Sequence, residues 1–208
     1  MNAIAQEETF EKLVEVARVA IKALPDPWAF HVTRGLAAVT YRSSPSSVER
    51  EALSLANKRE LGEGNVVWSW GEQGPLVVLV HGWGGCAAQM APLAVGLSHL
   101  GFRCIAVDIG GHGESPLRHT SWHYLLDDIA TLQQSLKENV YAYVAHSAGA
   151  LTTMAARTLK GIRAERYVCI CAPSHPVPPI DVIEKRLAPR KRVVDRYREY
   201  VAAQFQSN

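Results

Sequence analysis

The 208-residue sequence predicts an α/β fold in which a mainly parallel sheet is flanked by helices. The first observation is that the strand-like runs from residue 66 onward are almost continuously apolar, as in "PLVVLVHG" (75–82) and "YAYVAHS" (141–147). Strands buried on both faces of a parallel sheet have such runs. The second observation is that the segments between the runs repeat apolar residues with helical spacing. Strands that alternate with helices in this way are typical of an α/β fold.

The elements follow from these patterns in chain order. Residues 3–24 have the spacing of an amphipathic helix, which Pro25 and Pro27 end. A polar helix is predicted over 46–60, and a charged helical segment over 180–205. The strands are predicted at 66–70, 75–82, 102–108, 141–147 and 166–172, and the helices between them at 86–100, 121–138 and 148–160.

The composition excludes several classes of protein. A hydrophobic fraction of 48% and a charged fraction of 20% are those of a folded globular chain. A formal net charge of +2 indicates neither a nucleic-acid partner nor an anionic membrane surface. The longest uncharged stretch, Gln73–Phe102, is interrupted by prolines and a Gly-rich turn, so we expect no membrane span.

The cysteines are expected to be free thiols. Cys86, Cys104, Cys169 and Cys171 each lie in or beside an apolar run, where cysteine usually behaves as a small buried hydrophobe. Cys169 and Cys171 alternate along one strand and would be about 7 Å apart, too far for an easy bridge. No metal-ligand spacing is present, so no metal site is predicted. Free thiols favour a cytoplasmic location.

The stretch "AHSAG" (145–149) predicts a nucleophile. Ser147 lies where a buried strand turns into a helix, and a tight turn there needs small residues two positions before and after the serine. Ala145 and Gly149 meet that need, with alanine in place of the usual first glycine. The alternative is a serine that only caps the helix.

Two Gly-rich stretches follow the neighbouring strands. "HGWGG" (81–85) can aim a backbone N–H group above the sheet, where, together with the residue after the nucleophile, it would stabilise an oxyanion. The donors would be Trp83 and Ala148; a simple strand-to-helix turn is the alternative. In "DIGGHGES" (108–115), Asp108 and His112 invite assignment as acid and base, but we favour a role in organising the loop.

Together these three motifs and their strands resemble the α/β-hydrolase superfamily over residues 65–172. The resemblance implies a cofactor-independent serine hydrolase that acts on a small-molecule ester, thioester or related acyl compound. It implies three regions: a helical N-terminal extension (1–64), an α/β-hydrolase-like core (65–175) and a helical, cap-like C-terminal segment (176–208).

The acid and the base of the triad are not found in this sequence. In this superfamily they follow the nucleophile, after two further strands, whereas the sheet here is predicted to stop after the family's sixth strand, residues 166–172. His175 is the one histidine after Ser147 and is the candidate base. The strand 166–172 would also form an apolar sheet edge, which a helix from 180–205 or a second copy of the chain could cover.

Three readings remain open. The first is a serine hydrolase of which this chain is an incomplete, nearly inactive version. The second is a non-catalytic binding protein on a hydrolase-like scaffold. The third is an active enzyme with a rearranged site that uses His175.

Overall fold

The computed structural model of the protein describes residues 3–61, 64–176 and 179–206 of the chain. These residues belong to two compact units: one contains the residues up to Ala38 and Pro176–Gln204, and the other contains Val39–His175 and the residues from Phe205 onward. Residues 62–63 and 177–178, which adjoin the predicted region boundaries, lie outside the described residues, as do 1–2 and 207–208.

The larger unit is built on a six-stranded sheet. Its strands, in chain order, are β1 (Asn57–Leu61), β2 (Asn65–Trp70), β3 (Leu76–Val80), β4 (Arg103–Asp108), β5 (Val140–His146) and β6 (Arg166–Ile170). Their order in the sheet is β1-β2-β4-β3-β5-β6, with β3 to β6 parallel and β1–β2 and β2–β4 antiparallel. Every residue of β3 is buried, which explains its continuously apolar sequence. The predicted mainly parallel α/β sheet, with β6 as its last described strand, is confirmed.

Four helices accompany the sheet: α3 (Ser47–Ser54), α4 (Ala87–His99), α5 (Trp122–Ser135) and α6 (Ala148–Leu159). The core includes Met90 and Ala91 of α4 together with Val77 and Leu79 of β3. Burying these side chains stabilises the unit by about 25 cal/mol for each Å² of apolar surface removed from water.

The prediction of a single helix over 46–60 is wrong in its second half. A capping box between Ser46 and Glu49 starts α3 as expected, but α3 ends at Ser54 and β1 follows. The residues of β1 are polar and mostly exposed, and the strand pairs only with β2 at an edge of the sheet. Such an edge strand lacks the alternating apolar residues of a half-buried strand, so its sequence is similar to that of a polar helix.

The smaller unit is helical, with α1 (Ala3–Ala23), α2 (Asp26–Ala38), α7 (Ile180–Arg186) and α8 (Lys191–Ala203). Arg190 donates hydrogen bonds to Asp26 Oδ1 (2.8 Å) and to the carbonyl of Lys22 (2.7 Å), one of the last carbonyls of α1. The helix predicted over 180–205 is two helices, because Pro189 lies in the break between them. None of the described helices combines the length and the apolar character that a membrane crossing requires.

Candidate active site

Ser147 lies at the joint between β5 and α6 in a strained backbone conformation. Its φ is +50° and its ψ is −121°, a region that residues with a side chain rarely adopt. The Ser147 side chain makes no capping hydrogen bond to α6. A serine that served only as a helix cap would make that bond, so the geometry leaves the hydroxyl, which is partly exposed, for another role.

The turn at Ser147 is possible because small residues surround it. A Cβ atom on Gly149 would lie 2.2 Å from the carbonyl oxygen of His81 and 2.9 Å from that of Val80. A Cβ atom on Gly82 would lie 3.2 Å from the Cβ of Ser147. The loop after β3 and the turn after β5 are therefore in direct contact, and Ala145 is buried beneath them.

Trp83 and Ala148 come together beside this contact. Both line one small cavity, along with Gly82 and Gly149. The loop that carries Trp83 is closed by a hydrogen bond from the Gly85 N–H to the Gly82 carbonyl (3.0 Å). The structure thus brings the two sequence-predicted oxyanion donors to one cavity, and Ala148 directly follows Ser147 in the chain.

Asp108 holds the loop after β4. Its carboxylate accepts hydrogen bonds from the N–H of Ala87 (2.6 Å), the indole N–H of Trp68 (3.0 Å) and the N–H of Glu114 (3.2 Å). Burial raises the pKa of the Asp108 carboxyl, while these hydrogen bonds lower it. Asp108 therefore links β2, α4 and the loop, which is the organising role expected from the sequence.

His81 and His112 form a buried pair below the loops, with ring centroids 5.0 Å apart. Each ring is almost fully buried. Burial lowers the pKa of His81 to about 4 and that of His112 to about 3, because a charged imidazole loses its hydration there. Both histidines are neutral at pH 7. His112 also packs against the ring of Trp83, with centroids 5.8 Å apart.

Two further residues that the sequence did not single out hold the same loop. The N–H of Gly110 donates to Asn65 Oδ1 and to Asp128 Oδ2, each at 3.0 Å. Asn65 Nδ2 in turn donates to Asp128 Oδ1. Asn65 begins β2 and Asp128 lies in α5, so no local pattern joins them to Gly110, and only the fold could have identified them.

His175 lies apart from this cluster of contacts. Its ring is exposed, and Nδ1 lies 2.9 Å from the hydroxyl oxygen of Ser174. Within the described ranges, no histidine or carboxylate forms a hydrogen bond with the Ser147 hydroxyl. His175 as the base therefore remains a prediction without a supporting contact.

The cysteines are all free, as expected, but only two are buried. Cys86 and Cys104 lie in the core, whereas Cys169 and Cys171 are exposed at β6 and just beyond it. The expectation of burial is wrong for this second pair, because β6 pairs with β5 alone among the strands that the structure describes. No cluster of metal-ligating side chains was found among the described residues.

The comparisons with known proteins agree with this architecture. The family model described as the alpha/beta hydrolase fold matches residues 75–208. The structure of the epoxide hydrolase VrEH1 from Vigna radiata is 26% identical, with a TM-score of 0.54, over 64% of this chain and 44% of that one. An alpha/beta hydrolase fold protein from Burkholderia ambifaria is 23% identical, with a TM-score of 0.53, over 64% of this chain and 51% of that one. The chain thus spans about half the length of these structures. None of the curated proteins compared with it matches its sequence.

Because Gly149 lies so close to the backbone after β3, we predict that adding one methyl group at this position destabilises the fold. We expect Gly149→Ala to lower the free energy of unfolding by about 2–4 kcal/mol, because the added Cβ would meet the carbonyl of His81 and force the backbone to shift. Gly96→Ala in α4 is the matched control, since a Cβ there meets no atom within 4 Å and alanine favours the helix by about 1 kcal/mol. Urea unfolding followed by tryptophan fluorescence measures both; equal effects would contradict the contact.

The buried histidine pair predicts a loss of stability in acid. The ordinary pKa of histidine is 6.5 and both folded values are lower, so between pH 6.5 and pH 4 the unfolded chain binds more protons than the folded one. The contribution of the two histidines to the free energy of unfolding is therefore fully present above pH 6.5. It falls as the pH is lowered, by about 2 kcal/mol per histidine between pH 7 and pH 5.

The measurement is the free energy of unfolding at several pH values in that range. His112→Leu should reduce the dependence on pH, whereas His99→Gln, a change at an exposed site, should leave it as in the wild type. An unchanged pH dependence in His112→Leu would contradict the assignment.

Proposed function

This chain belongs to the α/β-hydrolase fold family, and on that premise we propose that it is a serine hydrolase, or the nucleophile-bearing part of one, acting on an ester, thioester or related acyl compound. The observation that carries the proposal is the positive φ of Ser147 together with a hydroxyl that does not cap α6. A strained backbone at a turn of this kind favours a functional role over a structural one.

In the proposed reaction the Ser147 oxygen attacks the acyl carbonyl carbon while a base takes the hydroxyl proton. The negative charge that develops on the carbonyl oxygen is stabilised by the N–H groups of Trp83 and Ala148. Collapse of the tetrahedral intermediate releases the alcohol or thiol, which takes the proton from the base, and leaves an acyl ester on Ser147. Water then attacks this ester, which releases the free acid and regenerates the Ser147 hydroxyl. Each oxyanion donor contributes about 10²–10³ in rate in such sites.

The chemistry of a serine nucleophile favours acyl compounds over epoxides, although the solved structure of VrEH1 is named an epoxide hydrolase. A serine oxygen that opened an epoxide would form an ether with the substrate carbon. Water does not cleave an ether under mild conditions, so the enzyme would be blocked after one turnover. An acyl ester on Ser147 is instead cleaved by water, which the same base activates.

The base and the acid are proposed to come from a part of the protein other than residues 1–208, since the chain spans about half the length of the structures it matches. The intact mass of the protein from its natural source tests this: a mass above that of 208 residues supports it. A mass equal to that of 208 residues would favour a binding protein or a site that uses His175. The free cysteines are consistent with the proposed cytoplasmic location.

Labelling with a fluorophosphonate, which forms a bond to activated serines, tests the nucleophile in the protein isolated from its source. We expect Ser147→Ala to abolish the labelling and to lower hydrolysis of a short p-nitrophenyl ester by at least about 10³-fold. Ser54→Ala, in the exposed part of α3, is the control and should label as the wild type does. Labelling that persists in Ser147→Ala would contradict the proposal, and a loss in His175→Ala would support the rearranged site.

The exposed edge of β6 favours a second candidate, a binding scaffold that pairs with another copy of itself. Val168 and Ile170 are 47% and 38% exposed on a strand whose outer side has no neighbouring strand among the described residues, and such an edge readily adds a further strand.

Self-association of the 208-residue chain through this edge is expected to weaken at least about tenfold in Val168→Lys, because a charge on an edge strand opposes pairing. Leu100→Lys is the matched control, since Leu100 is 75% exposed beyond the end of α4. Sedimentation velocity at several protein concentrations gives the dissociation constants. Equal constants for both variants would exclude β6 as the contact.

A further inference from the structure

A small cavity is lined in part by the loop that carries Trp83. Its wall is formed by the loop after β3, the segment after β4, the side chain of Leu125 in α5 and the first two turns of α6. Its volume is about 10 Å³. A cavity must hold about one probe sphere, roughly 10–15 Å³, to accommodate a water molecule, so the space is close to that of one water.

His112 is one of the residues that line this cavity, and its Nε2 atom is buried. The Nδ1 atom of the same ring lies 3.2 Å from the carbonyl oxygen of Gly110. Because a carbonyl only accepts, Nδ1 carries the proton and Nε2 presents a lone pair. The His112 side chain is 1% exposed, and Nε2 has no hydrogen-bond partner among the described residues. An unpartnered buried acceptor costs about 1–3 kcal/mol.

Other residues of the lining can supply the second hydrogen bond that a buried water needs. Ala148 and Gly149, the first two residues of α6, line the cavity. The N–H groups of a first helical turn have no carbonyl partner within their own helix. The ligand must be neutral, because burying a charge in the cavity costs free energy. The nearby Asp108 carboxylate could not compensate a cation, since it already accepts hydrogen bonds from three donors.

We propose that this cavity binds a single water molecule, which donates a hydrogen bond to His112 Nε2 and accepts one from the Gly149 N–H in the first turn of α6. The water joins the loop after β4 to the helix that begins at Ser147. It holds His112 against the Trp83 ring, so it positions the loop whose N–H group is the proposed oxyanion donor. The binding of the water itself does not depend on the proposed function.

The experiment is nuclear Overhauser spectroscopy between solvent water and the backbone amides of the ¹⁵N-labelled chain. We expect cross-peaks from water to the Gly149 amide in the wild type, although this residue is buried, and the loss of these peaks in His112→Leu. The Thr152 hydroxyl, which donates to the Ala148 carbonyl at 2.8 Å, could relay a false signal by exchange. Thr152→Val is therefore the control, and the peaks should persist in it.

Absence of the peaks in the wild type, or their survival in His112→Leu, would overturn the proposal. If His112→Leu does not fold, the ¹⁵N chemical shift of Nε2 in the wild type decides the question, because an acceptor that receives a hydrogen bond is shielded relative to a free lone pair. A shift equal to that of a free lone pair would overturn the proposal. These readouts need no catalysis, so a failure of fluorophosphonate labelling would leave them unaffected.

Discussion

The close approach of α6 to the end of β3 is the constraint on which the rest of the site depends. Gly149 lies so near the carbonyl of His81 that no side chain fits between them. The helix can start there only if the chain turns sharply after β5, and Ser147 takes a positive φ to make that turn. The packing of helix on strand holds this conformation, since an isolated serine would leave it at once. The exposed hydroxyl is therefore a result of core packing.

The loop after β4 supports this arrangement from below. Asp108 accepts hydrogen bonds from the N–H of Glu114 in this loop and from the N–H of Ala87 at the start of α4, and Asn65 with Asp128 holds the N–H of Gly110. The ring of His112, in this segment, packs against the ring of His81 at the start of the loop after β3, so the two loops are in contact. Two neutral histidines suit this purpose, because each packs like an aromatic ring and also bonds the backbone: His81 to the Gly82 carbonyl and the Ile109 N–H, and His112 to the Gly110 carbonyl.

Much of the fold was predictable because its strands are buried on both faces. The runs that became β3, β4 and β5 have no other explanation in sequence, and the motifs at their ends correctly indicated the family. Local sequence could not reveal β1, whose polar residues are stabilised only by pairing with β2. Nor could it reveal Asn65 and Asp128, because their contact with Gly110 depends on three distant elements. The roles of Ser147, Trp83, Ala148 and His175 remain predictions.

The strand order has a consequence for synthesis on the ribosome. β3 lies between β4 and β5, so β4 can pair with one side of β3 soon after it is made, while the other side waits for β5. At translation speeds of about 5–20 residues per second, this wait lasts for seconds. During that time the nascent chain carries an unpaired and wholly apolar strand edge.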